Sequence, residues 1–319
     1  MRKIIIGLLI LSTVVLISAA ALSPSSCEGE PPEPAVIKTD IKKLSVNYSP
    51  YTNGLSPERN SPVSLELIES HLDILKPYAD TIRLFGVSGE LTKLYKPAKE
   101  KYGFRIIASC WFDKNYTEKQ IYKELDELIK LANKGYIDIA AVGSEVLYRR
   151  DCSASDLIKY IEYVKKGIKN KAVPVTTSDT LTAWRNPELV EACDIILATI
   201  HPFFSDVPAE NAADALRSAY AEVEKIAAGK KIIISETGWP TSGSPERSAV
   251  PSMENAQKYF EDIYEWSTAE NIEIIYFSAF DESWKREGSK NDIGMHWGHF
   301  KSDGTLKEAY AGIYGAIAD

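Results

Sequence analysis

From about residue 40 onward the chain alternates between short continuous apolar runs and longer stretches in which apolar residues return every three or four positions. The short runs predict strands at Lys42–Tyr48, Thr81–Val87, Phe104–Phe112, Ile137–Val142, Val173–Thr177, Ile195–Ile200, Lys231–Ser235 and Ile272–Phe280. Runs that are apolar throughout, rather than at every second residue, belong to strands covered on both faces, as in a parallel sheet. The longer stretches predict helices at Ser64–Tyr78, Thr117–Asn133, Ser153–Lys169, Ala209–Ala228 and Ser252–Glu270, with a last one at Thr305–Ile317. Within Thr117–Asn133, residues Ile121, Leu125, Leu128, Ile129 and Ala132 fall on one helix face. Ser153-Ala-Ser-Asp156 and Ser252-Met-Glu-Asn255 have the short polar side chains that cap free amides at helix starts. Eight strand–helix units without an internal boundary or repeat predict a single (β/α)8 TIM barrel over residues 38–319. An open doubly wound sheet is the alternative, but no Gly-rich phosphate loop follows the first strand.

The beginning of the chain has a different pattern. Met1-Arg2-Lys3 is followed by an uncharged apolar run from Ile4 to Leu22 that ends in small residues, Ala19-Ala20-Ala21. Residues 1–22 read as a cleaved signal peptide or, left uncut, as a membrane anchor. Cys27 offers lipid attachment as a third route, although Pro24-Ser25-Ser26 makes a poor lipobox. All three export the domain to the exterior or the cell surface, and residues 23–37, rich in Pro and Glu, read as a linker. The only membrane contact expected is through this N-terminal segment.

Composition narrows the partners. With 45% hydrophobic and 26% charged residues the chain has an ordinary globular makeup. A net charge of −8 without a basic cluster argues against nucleic acid or an anionic lipid surface and suits a neutral ligand. Four scattered cysteines, Cys27, Cys110, Cys152 and Cys193, form no disulfide framework, and Cys110 and Cys193 sit at apolar positions expected to be buried. His296-Trp-Gly-His299 has a spacing that zinc could use, but two histidines without an acidic or sulfur partner rarely suffice. No metal, no cofactor and a monomer are expected.

A barrel gathers its chemistry at the C-terminal ends of its strands. The stretch Lys231-Ile-Ile-Ile-Ser-Glu-Thr-Gly-Trp-Pro-Thr241 places Glu236 where a buried strand opens into a loop, with Trp239 close behind. An exposed indole there would present a flat face to a sugar ring. Glu145 leaves the fourth strand in the same way. Glycoside cleavage uses two carboxyls, one to protonate the departing oxygen and one to attack the anomeric carbon or activate water. The competing reading of Glu236 is a carboxyl capping the next element; for Glu145 it is an ion pair with Arg149 or Arg150, for Glu282 one with Lys285, and for Arg83 a barrel-end pair. Other strand exits carry Tyr48, Phe85, Trp111, Asp113, Ser144, Ser178-Asp179, His201 to Phe204, and Asp281-Glu282 with Trp284-Lys285.

Ser235-Glu-Thr-Gly-Trp-Pro-Thr-Ser-Gly243 resembles the nucleophile segment of glycoside hydrolase family 17, the β-1,3-glucanases, and Val142-Gly-Ser-Glu-Val146 resembles its acid/base segment. Ile82-Arg-Leu-Phe85, Ile200-His-Pro-Phe-Phe204, and Tyr276 to Lys285 with His296-Trp-Gly298 are similar to its second-, sixth- and eighth-strand regions. The resemblance implies a retaining hydrolase acting on a β-glucan polysaccharide or oligosaccharide. Glu145 would be its acid/base and Glu236 its nucleophile. Tyr48, Arg83, His201, Phe204, Trp239, Glu282, Trp284 and Lys285 would line sugar subsites, orient the acids or pack the rim. The family pattern has Asn before the acid/base, in contact with the sugar 2-hydroxyl, whereas this chain has Ser144. A hydroxyl is shorter and has one donor, so Ser144 would make that contact differently. Two other activities remain open: glucanosyl transfer by the same pair, and glycan binding without catalysis.

Overall fold

Each of the eight apolar runs becomes a strand because it serves two layers at once, the barrel interior and the coat of helices outside. A computed structural model of the protein describes residues 42–244, 248–286 and 292–318. The expected export segment and linker, residues 1–37, lie outside the described residues. The strands are β1 (Leu44–Asn47), β2 (Ala79–Leu84), β3 (Arg105–Cys110), β4 (Ile139–Ser144), β5 (Val175–Thr180), β6 (Ile196–Thr199), β7 (Ile232–Thr237) and β8 (Glu273–Tyr276). They pair in parallel and in sequence order, and β8 closes the barrel on β1 through Ser45 opposite Ile275 and Val46 opposite Tyr276. The fold is therefore the expected (β/α)8 barrel.

Alternation along the strands sorts side chains between the two layers. Ile107, Ile139, Ala141, Leu197, Ile233 and Ile275 form an apolar plug, distinct from the larger core under the helices. Further along the same strand faces stand short polar residues, Ser109, Ser178, Thr199 and Ser235, all buried. Ser178 and Ser235 bond each other at 2.8 Å. This switch from branched aliphatics to serines leaves room near the C-terminal mouth for a long charged side chain, and Arg83 fills it.

The long helices are α1 (Leu65–Leu75), α3 (Glu118–Asn133), α4 (Ala154–Gly167), α7 (Ala209–Ile226) and α8 (Met253–Ala269). Ser64, Ser153 and Ser252 each cap a helix by accepting an amide N–H, and Thr117 forms a reciprocal capping box with Gln120. Three short helices were not expected: α2 (Thr92–Lys96), α5 (Leu181–Trp184) and α6 (Pro187–Ala192). At Pro97 α2 gives way to a single π-helical turn, Pro97–Lys101, and Pro187 with its cap Asn186 separates α5 from α6, so none keeps a regular α-helical period for long. The final helix is shorter than expected: a 3₁₀ turn at Glu308–Tyr310 precedes α9 (Ala311–Ala318). Cys110 and Cys193 are buried thiols, and Cys152 is also unpaired. Among the described residues no helix is long and apolar enough to cross a membrane.

Candidate active site

Glu236 stands near the end of β7 and is 7% exposed. A carboxylate so far from water needs partners, and the barrel interior supplies them. Arg83, fully buried on β2, donates from Nη1 to Glu236 Oε1 at 2.7 Å and to Asn47 Oδ1 at 2.8 Å. Its Nη2 donates to Ser144 Oγ at 3.0 Å and Ser109 Oγ at 3.3 Å. Asn47 is fixed in turn, since its Nδ2 donates to the carbonyl of Ser235 at 3.0 Å and that of Ile275 at 3.2 Å. His201 Nε2 lies 3.7 Å from Glu236 Oε2, too long for a hydrogen bond. Burial alone would raise the pKa of Glu236, but Arg83 and His201 outweigh it and hold the carboxyl well below the usual range.

Glu145 is set up in the opposite sense. It follows β4 with a left-handed backbone, φ 55°, unusual for a residue other than Gly. Its amide donates to the Ser178 carbonyl at 2.7 Å, and the Arg149 amide donates back to the Glu145 carbonyl at 2.9 Å. The side chain is half-buried and no hydrogen bond to a cation fixes it. Burial, then the charges of Glu236 and Asp179, push its pKa up to about 7 against the weaker pull of Arg83 and Arg149. One carboxyl is thus kept ionised, and its neighbour holds a proton at mildly acidic to neutral pH. The proposed Glu145–Arg149 ion pair is not what anchors Arg149. That side chain donates to the Ser144 and Phe112 carbonyls, pairs with Asp151 and stacks on Trp111 at 4.3 Å.

The aromatic residues around the pair divide into surface and support. Phe204 is 67% exposed and stacks on Trp297 at 5.2 Å. Trp297 is itself buried against His201, Phe203 and Phe277. Trp239 corrects the expectation of an exposed indole. It is 1% exposed, packs on Phe203 and Tyr259, and donates from Nε1 to the Val250 carbonyl at 3.0 Å. The turn at Gly238 and Pro240 sends the ring inward, so Trp239 supports the mouth and presents no face to a ligand. Tyr48 likewise lies beneath the surface, 1% exposed, with its hydroxyl 3.1 Å from His71 Nδ1. Glu282 and Lys285 do pair, but not as a surface bridge, since Glu282 is 4% exposed. Glu282 also accepts from Trp284 Nε1 at 3.0 Å, and Lys285 sits over the Phe277 ring at 4.4 Å.

Two participants went unassigned in the sequence. Asn47 precedes the chosen Tyr48, and only the pairing of β1 with β8 and β2 reveals that it faces inward. Asp179 was visible as a strand exit without a role. His296 and His299 do not converge: His299 is buried against Tyr310 and bonds Tyr314 at 2.8 Å, whereas His296 lies near Asp292. Among the described residues no cluster of three His, Cys, Asp or Glu could hold a metal. A cavity of about 560 Å³ near Lys43, Lys231 and Glu273 lies at the opposite, N-terminal end of the strands and has no part in this constellation.

A family model described as the BtgE/BtgC glycoside hydrolase domain matches residues 45–298. A glucan 1,3-beta-glucosidase of Candida albicans is 30% identical over 274 residues, which is 80% of this chain and 89% of that protein. A probable glucan endo-1,3-beta-glucosidase of Aspergillus fumigatus is 28% identical over 292 residues, 82% of this chain but 42% of its own greater length. The crystal structure of a family 17 beta-1,3-glucanosyltransferase from Rhizomucor miehei superposes with a TM-score of 0.74 at 31% identity, covering 84% of this chain and 96% of that one. An active-site mutant of the Rhizomucor enzyme has been solved in complex with laminaritriose. An endo-laminarinase from Formosa shares the fold at a TM-score of 0.73 and 18% identity.

Proposed function

The chain belongs to glycoside hydrolase family 17, and from that we propose that it cleaves β-1,3-glucosidic linkages of β-glucans with retention of configuration. The observation that carries this reading is the contrast between two neighbouring glutamates at strand ends. Glu236 is buried and paired with Arg83 at 2.7 Å, whereas Glu145 has no cation bonded to it among the described residues, and these environments push their pKa values in opposite directions. Environments that push two carboxyls apart in this way divide them into acid and nucleophile. In the first step the Glu236 carboxylate bonds to the anomeric carbon as the bond to the glycosidic oxygen breaks, and Glu145 gives its proton to that oxygen. A glycosyl ester on Glu236 remains. In the second step Glu145, now a carboxylate, takes a proton from water; the hydroxide oxygen bonds to the anomeric carbon and Glu236 leaves.

Ser144 fits this scheme differently from the expected amide. Its hydroxyl accepts from Arg83 and lies 3.5 Å from Glu236 Oε1, so it belongs to the cage of the proposed nucleophile. The 2-hydroxyl of a sugar held over Glu236 would meet this hydroxyl, since Asn47 is fully buried with both ends of its amide engaged.

Transfer to a second sugar is the other reading, favoured by the likeness to the Rhizomucor glucanosyltransferase. Phe204 supplies an exposed ring on which an incoming sugar could stack as readily as a leaving one. We infer that the domain at residues 38–319 carries the activity and is exported by the apolar run at 1–22.

Mass spectrometry of products from a β-1,3-glucan chain, with β-1,4 and mixed-linkage controls, separates the readings. Shortened chains mean hydrolysis, lengthened chains mean transfer, and unaltered chains overturn both. Glu236→Ala should abolish turnover on every substrate. Glu145→Ala should retain turnover of an aryl glycoside, whose leaving group needs no proton, and azide should then give a β-glycosyl azide. An α-azide would show that the roles are misassigned. The activity of the unaltered enzyme should fall as pH rises through about 7, where Glu145 loses its proton.

A further inference from the structure

Behind Glu145 stands a third carboxyl that the two-step reaction does not use. Asp179, near the end of β5, has no solvent exposure. Its Oδ2 accepts from the Leu147 amide at 2.9 Å, its Oδ1 accepts from the Thr180 amide at 2.8 Å, and the Tyr148 amide also bonds it. Burial raises the pKa of Asp179, and these amide donors pull it back towards the ionised form, since each of them is best met by a carboxylate oxygen. Leu147 and Tyr148 lie in the turn that Glu145 opens, closed by amide bonds from Arg149 to the Glu145 carbonyl and from Asp151 to the Val146 carbonyl. The Glu145 amide, meanwhile, is tied to the carbonyl of Ser178, the residue before Asp179. β5 therefore grips the left-handed turn from both sides of Glu145.

We propose that Asp179 is a positioning residue for the reaction, holding the Glu145 turn through its backbone amides and keeping a negative charge behind the proton that Glu145 must deliver. This rests on the assignment of Glu145 as acid/base. The charged groups around Glu145 are Glu236 from β7, Arg83 from β2, Arg149 from its own turn and Asp179 from β5. Two anions oppose two cations there, and the cations are already engaged elsewhere, Arg83 with Glu236 and Arg149 with Asp151 and two carbonyls. Removing the Asp179 charge tips this balance, so that Glu145 ionises at lower pH.

The test is a carbon-13 NMR titration of the Glu145 carboxyl in the whole domain, assigned by its loss in Glu145→Gln, alongside the pH profile of kcat/KM on laminaritriose. In Asp179→Asn the Glu145 inflection should fall by about one pH unit, and the alkaline limb of kcat/KM should fall by the same amount. Asp179→Ala, which also removes the amide acceptors, should in addition lower kcat at pH 5 by about tenfold or more, as expected when a proton donor is displaced. If Asp179→Asn does not fold, Asp179→Ser, a neutral acceptor, serves for the same titration. A folded neutral variant in which the Glu145 inflection stays at its original pH reduces Asp179 to a structural cap and overturns the proposal. The titration needs no substrate, so a protein inert towards β-1,3-glucan would refute the assigned reaction separately from this inference.

Discussion

At Arg83 the barrel interior gives up apolar packing for charge, and the state of the site follows from that one residue. The guanidinium is fully buried, and four polar side chains, Asn47, Ser109, Ser144 and Glu236, take its hydrogen bonds. Removing one member of a buried pair costs about 3–5 kcal/mol, because the other charge is left without a partner. In Arg83→Met the burial that now opposes ionisation of Glu236 would prevail, and its carboxyl would hold a proton to higher pH. The proposed nucleophile must be ionised to attack, so activity should fall first at the acidic end, with the acid limb of kcat/KM moving upward. An unchanged acid limb in a folded Arg83→Met protein would show that Arg83 does not control Glu236. Arg83 was evident in the sequence as a strand-exit cation, and the barrel-end ion pair was one of its readings. Its partner could not be read, because Glu236 is 153 positions away.

Elements were more legible than the contacts between them. Runs such as Lys231–Ser235 announce a strand because covering both faces favours apolar sequence, and a strand formed at each of the eight expected places, even where polar residues interrupt the run, as in β5. Helices α2, α5 and α6 stayed hidden because four to six residues cannot display a 3.6-residue period. The side a turn takes was also beyond reach, which is why Trp239 was placed in solvent. Gly238, just before it, shows what the turn requires. A Cβ there would lie 2.1 Å from the Phe277 carbonyl oxygen and 3.4 Å from Trp297. Gly238→Ala should therefore push the exits of β7 and β8 apart. We expect a loss of about 1–3 kcal/mol, the usual cost of overpacking, together with lost activity, since Phe277 and Trp297 wall the mouth. Gly315→Ala is the contrasting case, because nothing lies within 4 Å of a Cβ at that position in α9. It should gain about 0.5–1 kcal/mol by restricting the unfolded chain. Urea midpoints measure both, and a Gly238→Ala protein as stable and active as the original would contradict the packing described.

Over the whole molecule, groups whose ionisation differs between folded and unfolded chain tie stability to pH, and they do not all act in one direction. Glu145, raised to about 7, binds a proton in the folded state that the unfolded chain has released, so its contribution is present at acid pH and lost as pH rises through 7. His71 and His299 work the other way. Burial lowers them to about 4 and about 3, so the folded protein keeps them neutral where the unfolded chain would protonate them below 6.5. Burial makes the charged ring costly at both sites, and at His299 the Lys307 charge adds to that cost. His71 lies between the Tyr48 and Thr52 hydroxyls and stacks on Phe280, and His299 stacks on Tyr310 at 3.9 Å with Tyr314 bonded to its Nδ1. Between pH 6.5 and 4.5 these two histidines each take up one proton on unfolding while Glu145 releases one, so acidification favours the unfolded state by one net proton from the three; below 4.5 the Glu145 offset disappears. Each such proton is worth about 1.4 kcal/mol per pH unit. The contribution of His299 is isolated by comparing unfolding free energies of the protein and of His299→Phe from pH 7 to pH 4. The variant pays a constant cost for the lost bond to Tyr314 but no longer responds to acid at this site. The difference between the two should therefore shrink as pH falls below 6.5, by about 1.4 kcal/mol for each unit. A difference that stays constant across that range would mean that His299 protonates as easily in the folded barrel as in the open chain, and the buried cluster around it would need another explanation.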